Sequence, residues 1–162
     1  MIKEFEVSSV RVTIRPMRFS DLPEVATLEH DIFSDPWPAD AFEEYLDNFD
    51  GIGWVATAQS RIVGYACCGL DDNVLHVTNL AVVPAHRRKS VAKRLMDCIL
   101  TLARERECEL VYLEVRISNE AARRFYEALD FETVDRKIKY YEHPVEDALI
   151  MVRRLKAVSK DR

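Results

Sequence analysis

The stretch Asn79-Leu80-Ala81-Val82-Val83-Pro84-Ala85-His86-Arg87-Arg88-Lys89-Ser90-Val91-Ala92-Lys93-Arg94-Leu95 decides the fold. An apolar strand ends at Pro84, five cations follow between positions 86 and 94, and a long helix begins at about Ser90. Strand, turn and helix in this order favour an α/β domain. A helix start presents unpaired backbone N–H groups and the positive end of its dipole. With the flanking cations, the segment predicts an anion site suited to a phosphate or pyrophosphate.

The charge of the chain is segregated along the sequence. The net charge is −5, yet residues 21–50 carry ten carboxylates and no Lys or Arg. This acidic segment either forms solvated helix faces or attracts a cationic substrate. The cations at 86–94 are explained either by an anion site or by a solvated basic surface. The acidic balance and the lack of further basic stripes argue against direct nucleic-acid binding.

Length and composition narrow the class further. The 162 residues, with a mass of 18.8 kDa, predict a single domain over 1–162, with loose termini at about 1–9 and 156–162. No apolar run approaches the ~20 residues of a membrane span, and no signal peptide opens the chain, so we expect a cytoplasmic protein without membrane contact. The four glycines fit neither the dinucleotide fingerprint nor the Walker loop. The four cysteines lack metal-ligand spacing, so we expect no metal and no disulfide scaffold.

Hydrophobic periodicity predicts the order β-α-α-β-β-β-α-β-α-β-β around a mixed central sheet. A capping pattern at Ser20 starts the first helix, and a turn at Ser60-Arg61 joins two strands of a hairpin. We predict strands at 10–15, 53–59, 62–70, 74–83, 110–117, 131–134 and 148–155, and helices at 20–33, 39–48, 90–107 and 119–129.

A second polar cluster follows the apolar strand at 110–117. Glu114 interrupts this strand, and a carboxylate there needs a partner or a raised pKa. Tyr126 lies one helix later. The alternatives are structural: an ion pair of Glu114 with Arg116, and core packing of Tyr126 at helical spacing.

The two clusters together resemble the GCN5-related N-acetyltransferase (GNAT) superfamily. The superfamily signature Q/R-x-x-G-x-G/A matches at Arg87 and Ala92, and Ser90 stands where glycine is preferred. The resemblance implies the GNAT fold, a mixed, mostly antiparallel sheet of about seven strands flanked by about four helices. It also implies that acetyl-CoA is held by the strand edge and the loop, at Leu80, Ala81, Val82, Arg87, Arg88, Lys89, Ser90, Val91, Ala92 and Lys93.

Within that superfamily the chain is most similar to the ribosomal-protein-alanine N-acetyltransferases of the RimI type. The run Leu-Glu-Val-Arg-x-Ser-Asn-x-x-Ala-x-x-x-Tyr-Glu at 113–127 carries this resemblance. It implies that Glu114 is the general base, that Tyr126 is the general acid and that Asn119 contacts the cofactor. Where the group continues Leu-Gly-Phe, this chain has Asp130, a residue that tolerates the left-handed conformation.

Aromatic residues at two further places extend the resemblance. Trp37, in Phe-Ser-Asp-Pro-Trp, and the pair Tyr140-Tyr141 match segments that line the peptide entrance in that group, although core packing explains aromatics equally well. The implied activity is direct acetyl transfer from acetyl-CoA to the N-terminal amine of a protein, a ribosomal protein being one candidate, by a monomer or weak dimer. Two alternatives stay open: acetylation of a small amine such as a polyamine or antibiotic, and a non-catalytic CoA-binding module.

Overall fold

The computed structural model describes residues 2–7, 9–47 and 51–155. These residues form eight strands and four α-helices, with short 3-10 turns at Phe19–Asp21 and Pro84–His86. The strands are β1 (Lys3–Val7), β2 (Val10–Pro16), β3 (Gly51–Ala58), β4 (Arg61–Asp71), β5 (Val74–Val82), β6 (Leu110–Arg116), β7 (Glu132–Glu142) and β8 (Val145–Arg154). The helices are α1 (Leu22–Ile32), α2 (Ala39–Asp47), α3 (Val91–Glu105) and α4 (Glu120–Ala128).

The strands form one sheet in the order β1-β2-β3-β4-β5-β6-β8-β7. β5 and β6 pair in parallel, from Val74↔Leu110 to Val77↔Leu113. The pairs β1–β2, β2–β3, β3–β4, β6–β8 and β7–β8 are antiparallel. The predicted mixed, mostly antiparallel sheet with four helices is therefore confirmed. The sheet has one strand more than the seven predicted. This additional strand is β1, which lies where a loose terminus was expected and pairs with β2 along its whole length.

By internal contacts the chain divides into two compact units. The first unit comprises Met1–Gly69 and Thr78–Ile99, and the second comprises Leu70–Val77 and Leu100–Arg162. That both belong to a single domain over 1–162 stays a prediction. Residues 156–162, expected to be loose, and Asn48 to Asp50 lie outside the described residues. None of the described helices is long and apolar enough to cross a bilayer.

The core of the first unit lies between α1, α2 and the sheet. Phe42 and Tyr65 are fully buried there and their rings meet edge to face, with centroids 6.3 Å apart. Helix α1 begins later than predicted, at Leu22, because the 3-10 turn Phe19–Asp21 precedes it and Asp21 is its N-cap residue. The Asp21 carboxylate accepts the backbone N–H of Arg18 at 2.8 Å and a bidentate pair from Arg15 at 2.7 Å. The hydrogen bond from Arg15 lowers the pKa of Asp21 and keeps this buried carboxylate ionised.

Two hairpins differ from the sequence prediction. The β3–β4 turn lies at Gln59-Ser60, one residue before the predicted Ser60-Arg61, because both central residues adopt positive φ angles of 49° and 63°. Two left-handed residues are the pattern of a type I′ turn, whose twist matches the strands. At the C-terminus, β7 and β8 extend far beyond the predicted 131–134 and 148–155. Most of β7 is exposed, so it lacks the apolar alternation that marks a half-buried strand.

Helix α4 of the second unit is capped at both ends as predicted. At its start, the Asn119 side chain accepts the backbone N–H of Ala122 at 3.1 Å. At its end, the N–H of Phe131 reaches the carbonyl of Tyr126 and the N–H of Asp130 that of Glu127, both at 3.0 Å. Asp130 has a φ of 63°, which confirms the predicted left-handed conformation. This Schellman motif also brings the rings of Tyr126 and Phe131 together, 5.7 Å apart.

Replacing Asp130 tests this end of α4. Because a left-handed residue with a Cβ atom costs roughly 1–2 kcal/mol, we expect Asp130→Gly to raise the free energy of unfolding by about 1 kcal/mol. Asp130→Ala, which keeps a Cβ and loses the polar side chain, should lower it. Urea unfolding followed by circular dichroism measures both. Equal midpoints for Gly, Asp and Ala at this position would contradict the motif.

Candidate active site

The predicted phosphate-binding loop connects β5 to α3 in the first unit. Arg88 and Ser90 have positive φ angles of 57° and 64°. The preference for glycine at the position of Ser90 thus has a backbone reason, since only glycine adopts this conformation without strain. The Nε of Arg87 donates to the carbonyl of Val82 at 2.9 Å and ties the loop to the end of the strand. The loop therefore combines a fixed backbone with cations at the start of a 15-residue helix, an arrangement that fits a polyanionic ligand.

Other predicted cofactor residues of the first unit lie on the strand before the loop and on the helix after it. Leu80, Ala81 and Val82 continue β5 after the portion that pairs with β6. Gly64 lets neighbouring backbone approach this stretch, because a Cβ there would lie 3.0 Å from the Ala81 carbonyl oxygen. On α3, the Nζ of Lys93 lies 3.9 Å from the Oδ2 of Asp97. Cofactor contact by all these residues, and by Val91 and Ala92, stays a prediction.

Glu114 is the centre of the polar cluster in the second unit. Its Oε2 lies 2.6 Å from the Nε2 of His76 on β5, and its Oε1 accepts from the Nζ of Lys137 on β7 at 2.9 Å. The Glu114 side chain is 8% exposed. Burial acts to raise its pKa, but the hydrogen bonds and charges of His76 and Lys137 outweigh burial and lower the pKa to about 2. Glu114 is therefore an ionised carboxylate with a donor on each oxygen.

Aromatic rings contact both partners of this carboxylate. The ring of His76 stacks flat on that of Tyr112, with centroids 4.3 Å apart and an interplanar angle of 4°. The ammonium of Lys137 lies 5.1 Å from the centroid of the Tyr140 ring. An anionic oxygen beside electron-rich ring faces is a favourable setting for an alkylammonium ion.

The predicted alternative pairing of Glu114 with Arg116 does not account for either oxygen. Arg116 lies 3.2 Å from Glu146 on β8, and its guanidinium carbon lies 4.1 Å above the Tyr141 ring. Glu146 also accepts the backbone N–H of Ser118 at 2.6 Å. Hydrogen bonds from the side chain and then from the backbone of Ser118 lower the pKa of Glu146. These contacts fix Tyr141 next to Tyr140, whose ring centroid is 5.0 Å away.

Tyr126 lies within the same unit, and packing explains much of its environment. It is 8% exposed, and its ring contacts those of Phe125 and Phe131 at centroid distances of 5.2 and 5.7 Å. Burial raises the pKa of Tyr126 well above its usual value, with a smaller contribution from Tyr141. The hydroxyl therefore stays protonated, as a general acid requires before its transfer step. Asn119, predicted to contact the cofactor, uses its Oδ1 to cap α4.

Trp37 is held in the first unit by packing and by a residue that the sequence analysis missed. Its ring lies 5.3 Å from that of Phe42, and its backbone N–H donates to Glu29 at 3.2 Å. Glu29 is 2% exposed and also accepts from Tyr65 and, at 3.0 Å, from Asn79. Burial raises the pKa of Glu29, and the three donors oppose that rise. Its position four residues after Val25, in the apolar stripe of α1, was the available signal.

The acidic segment at 21–50 is thus partly structural. Asp21 and Glu29 are buried with partners, and Glu24 accepts from Arg61 at 3.2 Å and from the N–H of Ile62 at 3.0 Å. Asp50 lies outside the described residues. The sequence analysis also missed both partners of Glu114, Lys137 and His76, and a signal was available for His76. Its parallel register opposite Tyr112, two residues before Glu114, would have indicated it once β5 and β6 were taken as neighbours.

Replacement of Ser90 tests the loop geometry. We expect Ser90→Gly to raise the free energy of unfolding by about 1 kcal/mol, because it removes the left-handed strain. Ser118→Gly, at a residue without a positive φ, is the matched control and should be neutral or destabilising. Thermal and urea unfolding of both variants measure this difference. A Ser90→Gly variant no more stable than the control would contradict the strain.

The ion pairs of Glu114 predict a specific acid sensitivity. A carboxylate with a lowered pKa contributes stability that is present above its unfolded pKa of about 4.3 and lost as the pH falls through about 2. The difference in unfolding free energy between wild type and Glu114→Gln should therefore be constant above about pH 5 and shrink between about pH 4 and pH 2. Glu120→Gln, in the exposed pair with Arg124, is the control. A pH-independent difference for Glu114→Gln would contradict the ionised state.

Comparisons with known proteins agree with this geometry. The sequence profile of the Acetyltransferase (GNAT) family matches residues 22–131. The chain is 32% identical over 148 residues to the N-alpha-acetyltransferase RimI of Mycobacterium tuberculosis (strain ATCC 25618 / H37Rv), covering 88% of this chain and 92% of that protein. The fold matches the ribosomal-protein-S18-alanine N-acetyltransferase from Escherichia coli, with a TM-score of 0.84, 24% identity and coverage of 93% and 98%.

A third comparison concerns a structure that contains the expected cofactor. The fold matches Arabidopsis thaliana NAA60 in complex with acetyl-CoA, with a TM-score of 0.81, 21% identity and coverage of 89% of this chain and 98% of that one. The family match over residues 22–131 and the identity to the Mycobacterium relative settle the class. The chain belongs to the GNAT family and is an N-acetyltransferase most similar to the RimI type.

Proposed function

We propose that this protein transfers the acetyl group of acetyl-CoA directly to the N-terminal α-amine of a protein or peptide. The observation that carries the proposal is the setting of Glu114, an ionised carboxylate beside the rings of Tyr112 and Tyr140. The cluster already accommodates one alkylammonium group, that of Lys137. An amine substrate has the same charge and the same preference for carboxylate and aromatic neighbours.

The resemblance supplies the division of roles. In the first unit, the loop from Arg87 to Lys93 binds the phosphates of acetyl-CoA, and the backbone of Leu80 to Val82 pairs with its pantetheine arm. In the second unit, Glu114 and Tyr126 serve the proton transfers, and Asn119 approaches the cofactor. The resemblance also assigns contact with the peptide to Trp37 in the first unit and to Tyr140 and Tyr141 in the second. The name of the Mycobacterium relative, an N-alpha-acetyltransferase, supports the α-amine over a side-chain amine.

The chemistry needs little activation of the nucleophile. An α-amine has a pKa of roughly 7.7–8.0, against about 10.4 for a lysine side chain, so a useful fraction is neutral at pH 7. The neutral amine attacks the thioester carbonyl. Backbone N–H groups of Leu80 to Val82 stabilise the negative charge that develops on the carbonyl oxygen. Glu114, directly or through a water molecule, accepts the proton that the amine sheds. The C–S bond then breaks, and the departing thiolate takes a proton from Tyr126.

Substrate class is tested with three kinds of amine. Wild-type protein and acetyl-CoA are incubated with an N-terminal peptide library that includes the first residues of ribosomal proteins, with N-terminally blocked lysine peptides and with polyamines. Mass spectrometry reads the products. We expect acetylation of free N-termini only. Products confined to polyamines or lysine side chains would contradict the α-amine assignment, and calorimetry with acetyl-CoA separates an inactive protein that binds CoA from one that does not.

The residue roles are tested in the same assay. We expect Glu114→Gln and Tyr126→Phe each to lower kcat/KM by about 100-fold, the typical contribution of a proton-transfer group, with unchanged far-UV circular dichroism. Glu120→Gln, a carboxylate change on the exposed face of α4, is the control and should keep the wild-type rate. Wild-type rates from both site variants would overturn the assignment.

A further inference from the structure

Glu29 is a buried carboxylate that the proposed reaction does not use. It lies on α1 with 2% of its surface exposed, and its partners are a phenol, a side-chain amide and a backbone N–H. Burying a carboxylate among neutral donors is costly, and a well-packed apolar residue in its place would avoid that cost. Packing alone therefore does not explain a carboxylate at this position.

The two oxygens of Glu29 contact different parts of the first unit. Oε2 accepts from the hydroxyl of Tyr65 on β4. Oε1 accepts from two donors at once: the backbone N–H of Trp37 at 3.2 Å and the Nδ2 of Asn79 on β5 at 3.0 Å. A single oxygen atom thus joins the connection between α1 and α2 to strand β5.

Trp37 is held through its backbone and through its ring. Its N–H is bonded to Glu29, and its ring lies 5.3 Å from that of Phe42. The Phe42 ring meets that of Tyr65 at a centroid distance of 6.3 Å, and the Tyr65 hydroxyl returns to Glu29. These four contacts form a closed circuit. A shift of Trp37 therefore disturbs the hydrogen bonds of Glu29 as well as the ring packing.

Asn79 carries the other connection of Oε1. It directly precedes Leu80 to Val82, the strand segment to which the proposed function assigns the pantetheine arm of acetyl-CoA. The Asn79 residue is 7% exposed, and among the residues that the structure describes its Oδ1 has no hydrogen-bond partner. The bond from Nδ2 to Glu29 therefore orients the amide, and Glu29 is tied to the strand next to the cofactor segment.

We infer that Glu29 is a positioning residue of the acetyl transfer: its Oε1 holds Trp37, on the peptide side, in a fixed place relative to the strand assigned to acetyl-CoA. Glu29 acts through Trp37 and Asn79 and is not itself a catalytic residue. The inference rests on the proposed function, because Trp37 and Leu80 to Val82 have their roles only there.

Three substitutions of Glu29 separate positioning from the burial of a polar side chain. Glu29→Met fills the space and removes both acceptor oxygens. Glu29→Asp keeps the charge but withdraws it by one methylene group, away from Trp37 and Asn79. Glu29→Gln keeps one acceptor oxygen for these two donors, and its amide N–H can donate to the Tyr65 hydroxyl.

Steady-state kinetics with a reactive N-terminal peptide give the first readout. We expect Glu29→Met and Glu29→Asp to lower kcat/KM for the peptide by about 100-fold, the effect of a misplacement of about 1 Å. Of this loss, about 10-fold should appear as a higher peptide KM, equivalent to one hydrogen bond. Glu29→Gln should keep a peptide KM close to that of the wild type.

The binding of acetyl-CoA, measured by calorimetry, should be unchanged in all three variants, since its phosphates are assigned to the loop from Arg87 to Lys93. A variant that merely contained less folded protein would show a lower kcat with unchanged KM values. The rise in peptide KM is therefore the signature of positioning.

Tyr65→Phe is the matched control within the same network. It removes the donor of Oε2, keeps the ring packing on Phe42 and leaves both bonds of Oε1 in place. We expect it to lower the free energy of unfolding and to keep the wild-type peptide KM. Circular dichroism verifies that this variant and those of Glu29 are folded.

Fluorescence of Trp37 gives a readout that does not depend on activity. The chain has two tryptophans, so Trp37 is the single emitter in a Trp54→Phe background. In that background, Glu29→Met should shift the emission to longer wavelength and increase its quenching by acrylamide, because the Trp37 N–H has lost its acceptor. Glu29→Gln should leave both quantities unchanged.

Two results overturn the inference: a folded Glu29→Asp or Glu29→Met variant with the wild-type peptide KM, or a Glu29→Gln variant as impaired as Glu29→Met. If Glu29→Met does not fold, Glu29→Asp decides. Failure of the proposed function gives a different result, since the wild type would then acetylate no peptide N-terminus. That result contradicts the proposed function and the role of Glu29 together, whereas an active wild type with unaffected Glu29 variants contradicts the role of Glu29 alone.

Discussion

The second unit depends on keeping one carboxylate charged in the middle of a sheet. Glu114 lies on β6, a strand whose neighbours in sequence are apolar, and an unpaired charge there would cost several kcal/mol. β5 supplies the imidazole of His76, and β7 supplies the ammonium of Lys137 from beyond β8. Strand β8 lies between β6 and β7, and its Ala148 pairs with Arg116 on β6 and with Lys137 on β7. The small side chain of Ala148 leaves room between β6 and β7. The register of three strands is therefore coupled to one ion-pair network.

In the first unit, neutral hydrogen-bond donors surround a second buried carboxylate, that of Glu29. Glu29 is almost fully buried and has no cationic partner in the described residues; a phenol, an amide and a backbone N–H surround it. Burial consequently dominates and raises the pKa of Glu29, whereas the hydrogen bonds from His76 and Lys137 outweigh burial and lower the pKa of Glu114. The two carboxylates therefore hold different elements together. Glu29, with neutral donors, connects α1, Trp37 and β5, while Glu114, with His76 and Lys137, connects β5, β6 and β7.

Local patterns in the sequence were sufficient for most of the fold. Apolar periodicity placed α3 and β6 within two residues of their ends. The left-handed position at Asp130 was predicted from the Leu-Gly-Phe pattern of the group that the chain resembles. β1 and β7 were missed or shortened because edge strands carry few apolar residues. The partners of Glu114 were beyond reach for another reason. They stand 38 and 23 positions away, so only the strand order brings them together. The nearest cation in sequence, Arg116, was the wrong guide because its side chain is engaged by Glu146 and Tyr141.

The charge map also changes meaning once partners are assigned. Of the ten carboxylates at 21–50, three hold helices and strands in place: Asp21, Glu24 and Glu29. The electric field outside this segment is therefore weaker than ten free carboxylates would produce. Exposed charges are in any case screened beyond about 8 Å at physiological ionic strength. Long-range attraction is therefore a modest aid to amine capture. Selectivity for an amine therefore has to come from short-range contacts. The second unit provides such contacts around Lys137, from an aromatic ring and a carboxylate.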